Sequence, residues 1–194
     1  PRFACGWRRL PETQAILGPV LRPLLLGLLF VALSGCSTLI TESGDTPVSL
    51  AEQVAVVPFV NLSETPQAGD RAASIAVAIL RAEGAGRVEL YLPEDQNPLM
   101  YESQARQAEA MDMADRDGAD LIVTGTVEEW RYKAGFDSEP AVGVTMIVRR
   151  SGSNAIVWSG TAARTGWGRE SLGTVGREVL QDLIDAMPLV RGED

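Results

Sequence analysis

The stretch LIVTGTV at residues 121–127 predicts a buried β-strand, because its apolar and β-branched residues form a nearly continuous run. Gly118 lies just before it and suits the left-handed cap that ends a helix. Gly125 inside the stretch indicates a bulge or a close approach of another backbone. A similar run, VAVVPFV at 54–60, predicts a second central strand that bulges or ends near Pro58. These two strands form the centre of the predicted sheet.

Helices and further strands are predicted around this centre from the spacing of apolar residues. The predicted helices cover 72–80, 101–116 and 172–187. The remaining predicted strands cover 87–92, 141–150 and 155–165. Ser171 can cap the last helix, and the short turn at 151–154 demands an antiparallel strand pair. The order β-α-β-α-β-β-β-α therefore predicts the α/β class, with a mixed sheet in one two-layer or three-layer domain over 51–190.

The N-terminal region predicts a lipoprotein signal over residues 1–35, because an apolar run at 24–33 is followed by Ser34-Gly35-Cys36. The run is about ten residues long, which suits a secretory signal and is too short to span a bilayer as a helix. Similarity to lipoprotein cleavage sites implies that Cys36 becomes the N-terminus and carries acyl chains such as palmitate. The next residue is not Asp, which favours the periplasmic face of the outer membrane. Residues 36–50 are polar and are predicted to be a flexible tether. An ordinary cleaved signal and an N-terminal transmembrane anchor are the alternatives.

The charge of the chain is strongly negative after the signal. The formal net charge is −9, and the four arginines and one glutamate of the signal contribute +3, which leaves about −12 on residues 36–194. Such a surface disfavours nucleic-acid binding, which needs a basic face, and attracts a cationic partner or substrate. Alternatively, the acidity only keeps a secreted protein soluble.

The absence of histidine excludes imidazole metal sites and histidine-dependent nucleophilic or general-base catalysis. No phosphate-binding glycine loop is followed by Lys-Ser/Thr, and no cofactor is expected. Glu128 and Glu129 would point to opposite faces of a continuous strand, which makes them a poor acid/base pair. A carboxylate glycosidase is therefore disfavoured, and we expect a protein that is not an enzyme.

Several segments resemble a known group of periplasmic lipoprotein domains. Residues 54–61, 119–127 and 157–160 are similar to the α/β domain shared by curli-secretion lipoproteins, penicillin-binding-protein activators and the TolB amino-terminal domain. Within that group, residues 64–71 and 164–171 resemble the PelC family, the outer-membrane lipoproteins of the Pel exopolysaccharide export system of biofilms.

The resemblance implies a homo-oligomeric ring, a dodecamer, on the periplasmic face of the outer membrane. Such a ring has no catalytic centre and guides a cationic polysaccharide through an electronegative funnel to an outer-membrane export porin. It further implies that Asp137 guides the polymer and that Trp167 contacts the membrane. From the residues alone, Asp137 is equally well an ordinary solvated loop acid, and Trp167 can fold back on the last helix.

A regulatory lipoprotein is the alternative function, docking as a single copy onto a periplasmic cell-wall synthase. It predicts a monomer with one contact patch and a long tether that crosses the wall. The predicted tether of about 14 residues reaches at most roughly 50 Å, which argues against this alternative.

Overall fold

The computed structural model describes residues 39–93, 103–134 and 138–191. Within these ranges the chain forms three helices, α1 (Ala68–Ala82), α2 (Ser103–Arg116) and α3 (Leu172–Ala186). The strands of the same ranges are β1 (Leu39–Ser43), β2 (Val48–Ser49), β3 (Val54–Val56), β4 (Val60–Asn61), β5 (Val88–Leu90), β6 (Leu121–Tyr132), β7 (Pro140–Arg150), β8 (Ile156–Thr165) and β9 (Leu189–Val190). The predicted α/β class is confirmed.

The main sheet is mixed, as the element order predicts. Its strands run in the order β1-β8-β7-β6-β3-β5, and β4 pairs with β6 beside β3. Strand β3 is parallel to both β5 and β6, whereas β6, β7, β8 and β1 are antiparallel neighbours. Strand β3 ends two residues before Pro58, and β4 resumes the pairing at Val60 opposite Thr126. Proline has no N–H to donate, which explains the interruption.

The helices lie on both faces of the sheet but do not cover them equally. Helices α1 and α3 pack side by side on one face, where Val144, Trp158 and Leu180 belong to the larger hydrophobic core. Helix α2 lies on the other face, where Ala110 packs with Ile122 in a smaller core. Within the described ranges, no helix covers β7, β8 and β1 on the α2 side. The domain is therefore three-layered over β3, β5 and β6 and two-layered over β7, β8 and β1.

Two close contacts explain glycines in this core. A Cβ atom at Gly125 would lie 2.0 Å from the backbone oxygen of Thr145, which confirms the predicted close approach of a second backbone. A Cβ atom at Gly176 would lie 2.2 Å from Cη2 of Trp130, whose side chain is 1% exposed. The glycine thus lets α3 sit directly on the indole ring. Ser171 caps α3 as predicted, because its side chain accepts a hydrogen bond of 3.1 Å from the backbone N–H of Thr174.

The segment predicted as a flexible tether over 36–50 differs from the prediction in its described part. Strand β1 pairs with β8 over five residues, and the two-residue strand β2 pairs with β9. The β1 sequence, LITES, carries no apolar run because it is an edge strand whose described side chains are exposed. Backbone pairing stabilises such a strand, and backbone pairing leaves little trace in side-chain patterns.

Tyr91 is a buried polar side chain beside the smaller core. Its hydroxyl lies 3.3 Å from Oε2 of Glu89 and the residue is 6% exposed. Burial, followed by the nearby charges of Glu89 and Asp117, raises the pKa of Tyr91 from 10.0 to about 12.

Candidate functional site

Three parts of the chain meet at one end of the sheet, which we call the loop end. Strand β1 begins there with Leu39, which is opposite Ala163 in the register. Strand β8 ends there at Thr165 and leads into the loop at 166–171. The connection from β6 to β7 also lies there, because Tyr132 pairs with Pro140. The loop end therefore combines the first described strand with the two loops that contain Asp137 and Trp167 in the sequence.

Hydrogen bonds join these loops to one another. The Nζ atom of Lys133 donates to Oγ1 of Thr165 at 2.8 Å, and the backbone N–H of Lys133 donates to the carbonyl of Glu139 at 2.7 Å. The backbone N–H of Gly166 donates to the carbonyl of Pro140 at 2.8 Å. The chain before and after residues 135–137 is thus tied to the end of β8.

Trp167 is exposed, and two hydrogen bonds hold its backbone. Its side chain is 64% exposed, the largest exposure among the described large hydrophobic side chains. Its backbone N–H donates to Oε2 of Glu170 at 2.6 Å, and the N–H of Glu170 donates to the carbonyl of Trp167 at 2.9 Å. A Cβ atom at Gly166 would lie 2.5 Å from Cγ2 of Val175, so the chain passes close to α3 here. The indole nevertheless points to solvent instead of folding back on α3.

Two of the predicted site residues, Cys36 and Asp137, lie outside the described residues. Leu39 is the first described residue after Cys36, and Ala134 and Ser138 are the nearest described residues on either side of Asp137. The predictions for lipidation at Cys36, polymer contact at Asp137 and membrane contact at Trp167 remain predictions.

An acidic cleft of about 330 Å³ lies beside the loop end. It is lined by Leu62, Ser63, Glu64, Glu128, Glu129, Trp130 and Arg131. Glu129 is paired with Arg131 at 2.9 Å, whereas Glu128 accepts a hydrogen bond from the hydroxyl of Thr126. Leu62 is 62% exposed at the rim.

The cleft differs from what the sequence indicated. Glu128 and Glu129 were expected on opposite faces of a continuous strand, but the register of β6 shifts between Val127 and Glu129. This bulge turns both carboxylates towards the same cleft. Glu64, from the loop after β4, lines the same cleft. No periodic pattern in the sequence indicates that this loop lies next to β6.

The chemistry available at the loop end is electrostatic and amphipathic. Three carboxylates and two exposed aromatic side chains, Tyr132 and Trp167, can attract cations and contact an interface. Within 39–93, 103–134 and 138–191, no group of three or more His, Cys, Asp or Glu residues could hold a metal ion. Among the described helices, none has the length and apolar character needed to cross a bilayer.

Comparison with known proteins identifies similar solved structures. No protein-family model matches the chain, and no curated protein matches it. A single-substitution variant of PelC from Paraburkholderia phytofirmans, a dodecamer, is 34% identical over 79% of this chain and 100% of its own, with a TM-score of 0.68. A second PelC dodecamer structure from the same organism is 35% identical over 76% of this chain and 95% of its own, with a TM-score of 0.64. Lipoprotein GNA1162 from Neisseria meningitidis is 18% identical over 70% of this chain and 99% of its own, with a TM-score of 0.48.

Proposed function

This chain belongs to the PelC family, and from that premise we propose that it is an outer-membrane lipoprotein of exopolysaccharide export. In this proposal Cys36 carries the lipid, and identical copies form a ring, a dodecamer as in the similar structures. The ring is not an enzyme. It presents an electronegative funnel that guides a cationic polysaccharide to an outer-membrane porin.

The geometry of the loop end is the observation that carries the proposal. Leu39, the start of β1, lies beside the end of β8 and therefore near the exposed Trp167. Only two residues separate Cys36 from Leu39, so the lipid-bearing residue is within about 11 Å of the sheet at 3.8 Å per residue. Acyl chains at Cys36 would hold the loop end against the bilayer, where an indole suits the headgroup region.

The acidic character of the loop end supports a role in guiding a cationic chain. Glu64 lines the acidic cleft at this end of the domain, and Asp137 belongs by sequence to the connection between β6 and β7. In a ring, the same carboxylates repeat around an axis, so a positive polymer meets many weak sites instead of one tight site. Weak and repeated attraction suits transport, because the polymer must also leave.

Polymer export by a strain that lacks this gene, complemented with variants, tests the guiding role. We expect Asp137→Ala and Glu64→Gln each to lower secreted polymer at normal protein levels. Glu109→Gln is the matched control, because this exposed acid lies on α2 away from the loop end. Unchanged export in both loop-end variants would contradict the guiding role.

Membrane contact and assembly are tested with the acylated full chain. We expect Cys36→Ala to abolish flotation with outer-membrane vesicles and Trp167→Ala to reduce it, with both variants still folded. Native mass spectrometry of the detergent-extracted protein should give a ring. A strictly monomeric mass would refute the ring and favour a lipoprotein that docks as a single copy on a cell-wall synthase.

A further inference from the structure

The centre of one half of the sheet has a face without charge that no helix of the described ranges covers. The central residues that point away from α1 and α3, which we call the open face, are Thr41, Ser43, Gly143, Thr145, Ser159, Thr161 and Ala163. Ile147 and Arg149 continue this side of β7 towards α2, since Arg149 pairs with Ile122. The hydroxyls of the open face bond to one another, as Thr145 does to Thr161 and Ser43 to Ser159, each at 2.9 Å. A neutral surface across three strands is unexpected because residues 36–194 carry a net charge of about −12. A solvated sheet face and edge normally carry charged side chains.

A groove between α1 and α3 lies on the opposite side of the sheet. Its volume is about 610 Å³, and it is lined by Ser74, Ile75, Ala78, Ile79, Ala82, Gly173, Arg177 and Gln181. A smaller cavity of about 380 Å³ extends it past Ile75 to Arg71 and Trp130. Arg71 and Arg177 are exposed, and neither forms an ion pair with any residue of the described ranges. The groove is thus apolar at its floor, and its rim carries two exposed arginines, with the more buried Asp70 in the smaller cavity.

We propose that the open face and the α1/α3 groove are the two halves of one contact between neighbouring copies of this chain. The inference deepens the proposed ring and rests on it. A closed head-to-tail ring needs two different surfaces on nearly opposite sides of each subunit. The sheet itself separates these two surfaces. The helix pair of one copy would supply the layer that β7, β8 and β1 of the next copy lack, and every part of the sheet would then be covered.

Charged side chains at the loop end fix how the two surfaces align in this contact. Arg71 lies in the first turn of α1, at the loop end, where it lines the same cavity as Trp130. Glu129 lies next to the open face, since its Cβ is 3.6 Å from the Cβ position of Gly143. Glu129 is already paired with Arg131, which leaves Glu128 as the partner for Arg71 of a neighbouring copy. All subunits of a ring point the same end along its axis, so these two loop-end charges meet.

A charge-exchange experiment with the full acylated chain in detergent tests this pairing. We expect Arg71→Glu and Glu128→Arg each to lower the ring population at least tenfold in native mass spectrometry. In an equimolar mixture of the two variants, every contact between unlike chains restores an opposite-charge pair. The mixture should therefore form rings with alternating subunits. Wild-type assembly by both single variants, or a mixture that does not assemble, would overturn the inference.

A second variant tests the open face without altering an acidic residue. Thr161→Arg places a charge at the centre of the open face, where the side chain is exposed in the single subunit. Ser153→Arg is the matched control, since it adds the same charge on the exposed turn between β7 and β8. We expect only Thr161→Arg to lose the ring at least tenfold, with both variants unfolding at the wild-type midpoint. If Thr161→Arg still forms rings, the proposed contact is overturned but the proposed function is not. If the wild-type chain forms no rings, the proposed function is overturned.

Discussion

Replacing Gly176 with alanine tests how α3 is seated on the sheet. The added Cβ would lie 2.2 Å from Cη2 and 2.8 Å from Cζ3 of Trp130, so the ring or the helix must move. Because the ring is 1% exposed and packed in the larger core, moving it disturbs buried contacts. Overpacking of this kind costs about 1–3 kcal/mol, and the better helix propensity of alanine offsets up to about 1 kcal/mol. We expect a net loss of about 1–2 kcal/mol, which lowers the Tm by roughly 2–8 °C for a domain of this size.

Gly173→Ala is the matched control, one turn earlier on the same helix. A Cβ atom there has only Oγ of Ser171 nearby, at 3.7 Å, which is an ordinary contact. The same substitution should therefore stabilise the fold by about 0.5–1 kcal/mol. Urea unfolding followed by tryptophan fluorescence and circular dichroism gives both values, measured at one protein concentration because assembly adds concentration-dependent stability. A Gly176→Ala variant as stable as Gly173→Ala would refute the close packing.

Three further predictions concern buried and capping side chains. The pKa of Tyr91 is about 12 in the folded state, whereas a tyrosine in the unfolded chain has a pKa near 10. The stability that Tyr91 contributes is therefore complete below pH 10 and falls as the pH rises towards 12. Wild type should lose up to roughly 2–3 kcal/mol more than Tyr91→Phe over that range. Equal slopes for wild type and Tyr91→Phe in alkaline unfolding would contradict this. Trp158→Ala should lower the free energy of unfolding by about 3–5 kcal/mol because the ring is buried. Trp167→Ala should change it by no more than about 0.5 kcal/mol because the ring is exposed. Similar unfolding midpoints for the two variants would contradict the buried position of Trp158 and the exposed position of Trp167. Ser171→Ala should lower the free energy of unfolding by about 1 kcal/mol because α3 loses its cap, whereas Ser171→Asp should keep most of the stability. Equal unfolding midpoints for Ser171→Ala and wild type would exclude a capping role.

The sequence was sufficient for the elements whose side chains make the core. The strand at 54–56 and residues 121–127 of β6 carry nearly continuous apolar residues because both of their faces are buried, and α3 has a clear apolar stripe. Gly125 signalled a close backbone approach, which the contact with Thr145 explains. These features share one cause, since each is recorded in the side chains that the fold buries.

Side-chain patterns do not reveal the parts of the structure that backbone pairing decides. Strand β1 is held by its hydrogen bonds to β8, and its polar, exposed sequence looks like a tether. The acidic cleft was missed for a related reason. A bulge after Val127 changes the direction of one side chain, and the loop that carries Glu64 approaches only through the tertiary fold. Neither a bulge nor a long-range loop contact leaves a period in the sequence.

The pairing of β1 also changes how membrane attachment would act on assembly. A flexible tether of about 14 residues would let each domain rotate freely roughly 50 Å from the bilayer. With the sheet beginning at Leu39, a lipid on Cys36 would instead keep the loop end within about 11 Å of the membrane. All copies would then share one orientation and one height, so Arg71 and Glu128 of neighbouring copies would already lie at the same level. Confinement of this kind raises the effective concentration of matching surfaces, and a contact too weak for assembly in solution can then close a ring on the membrane.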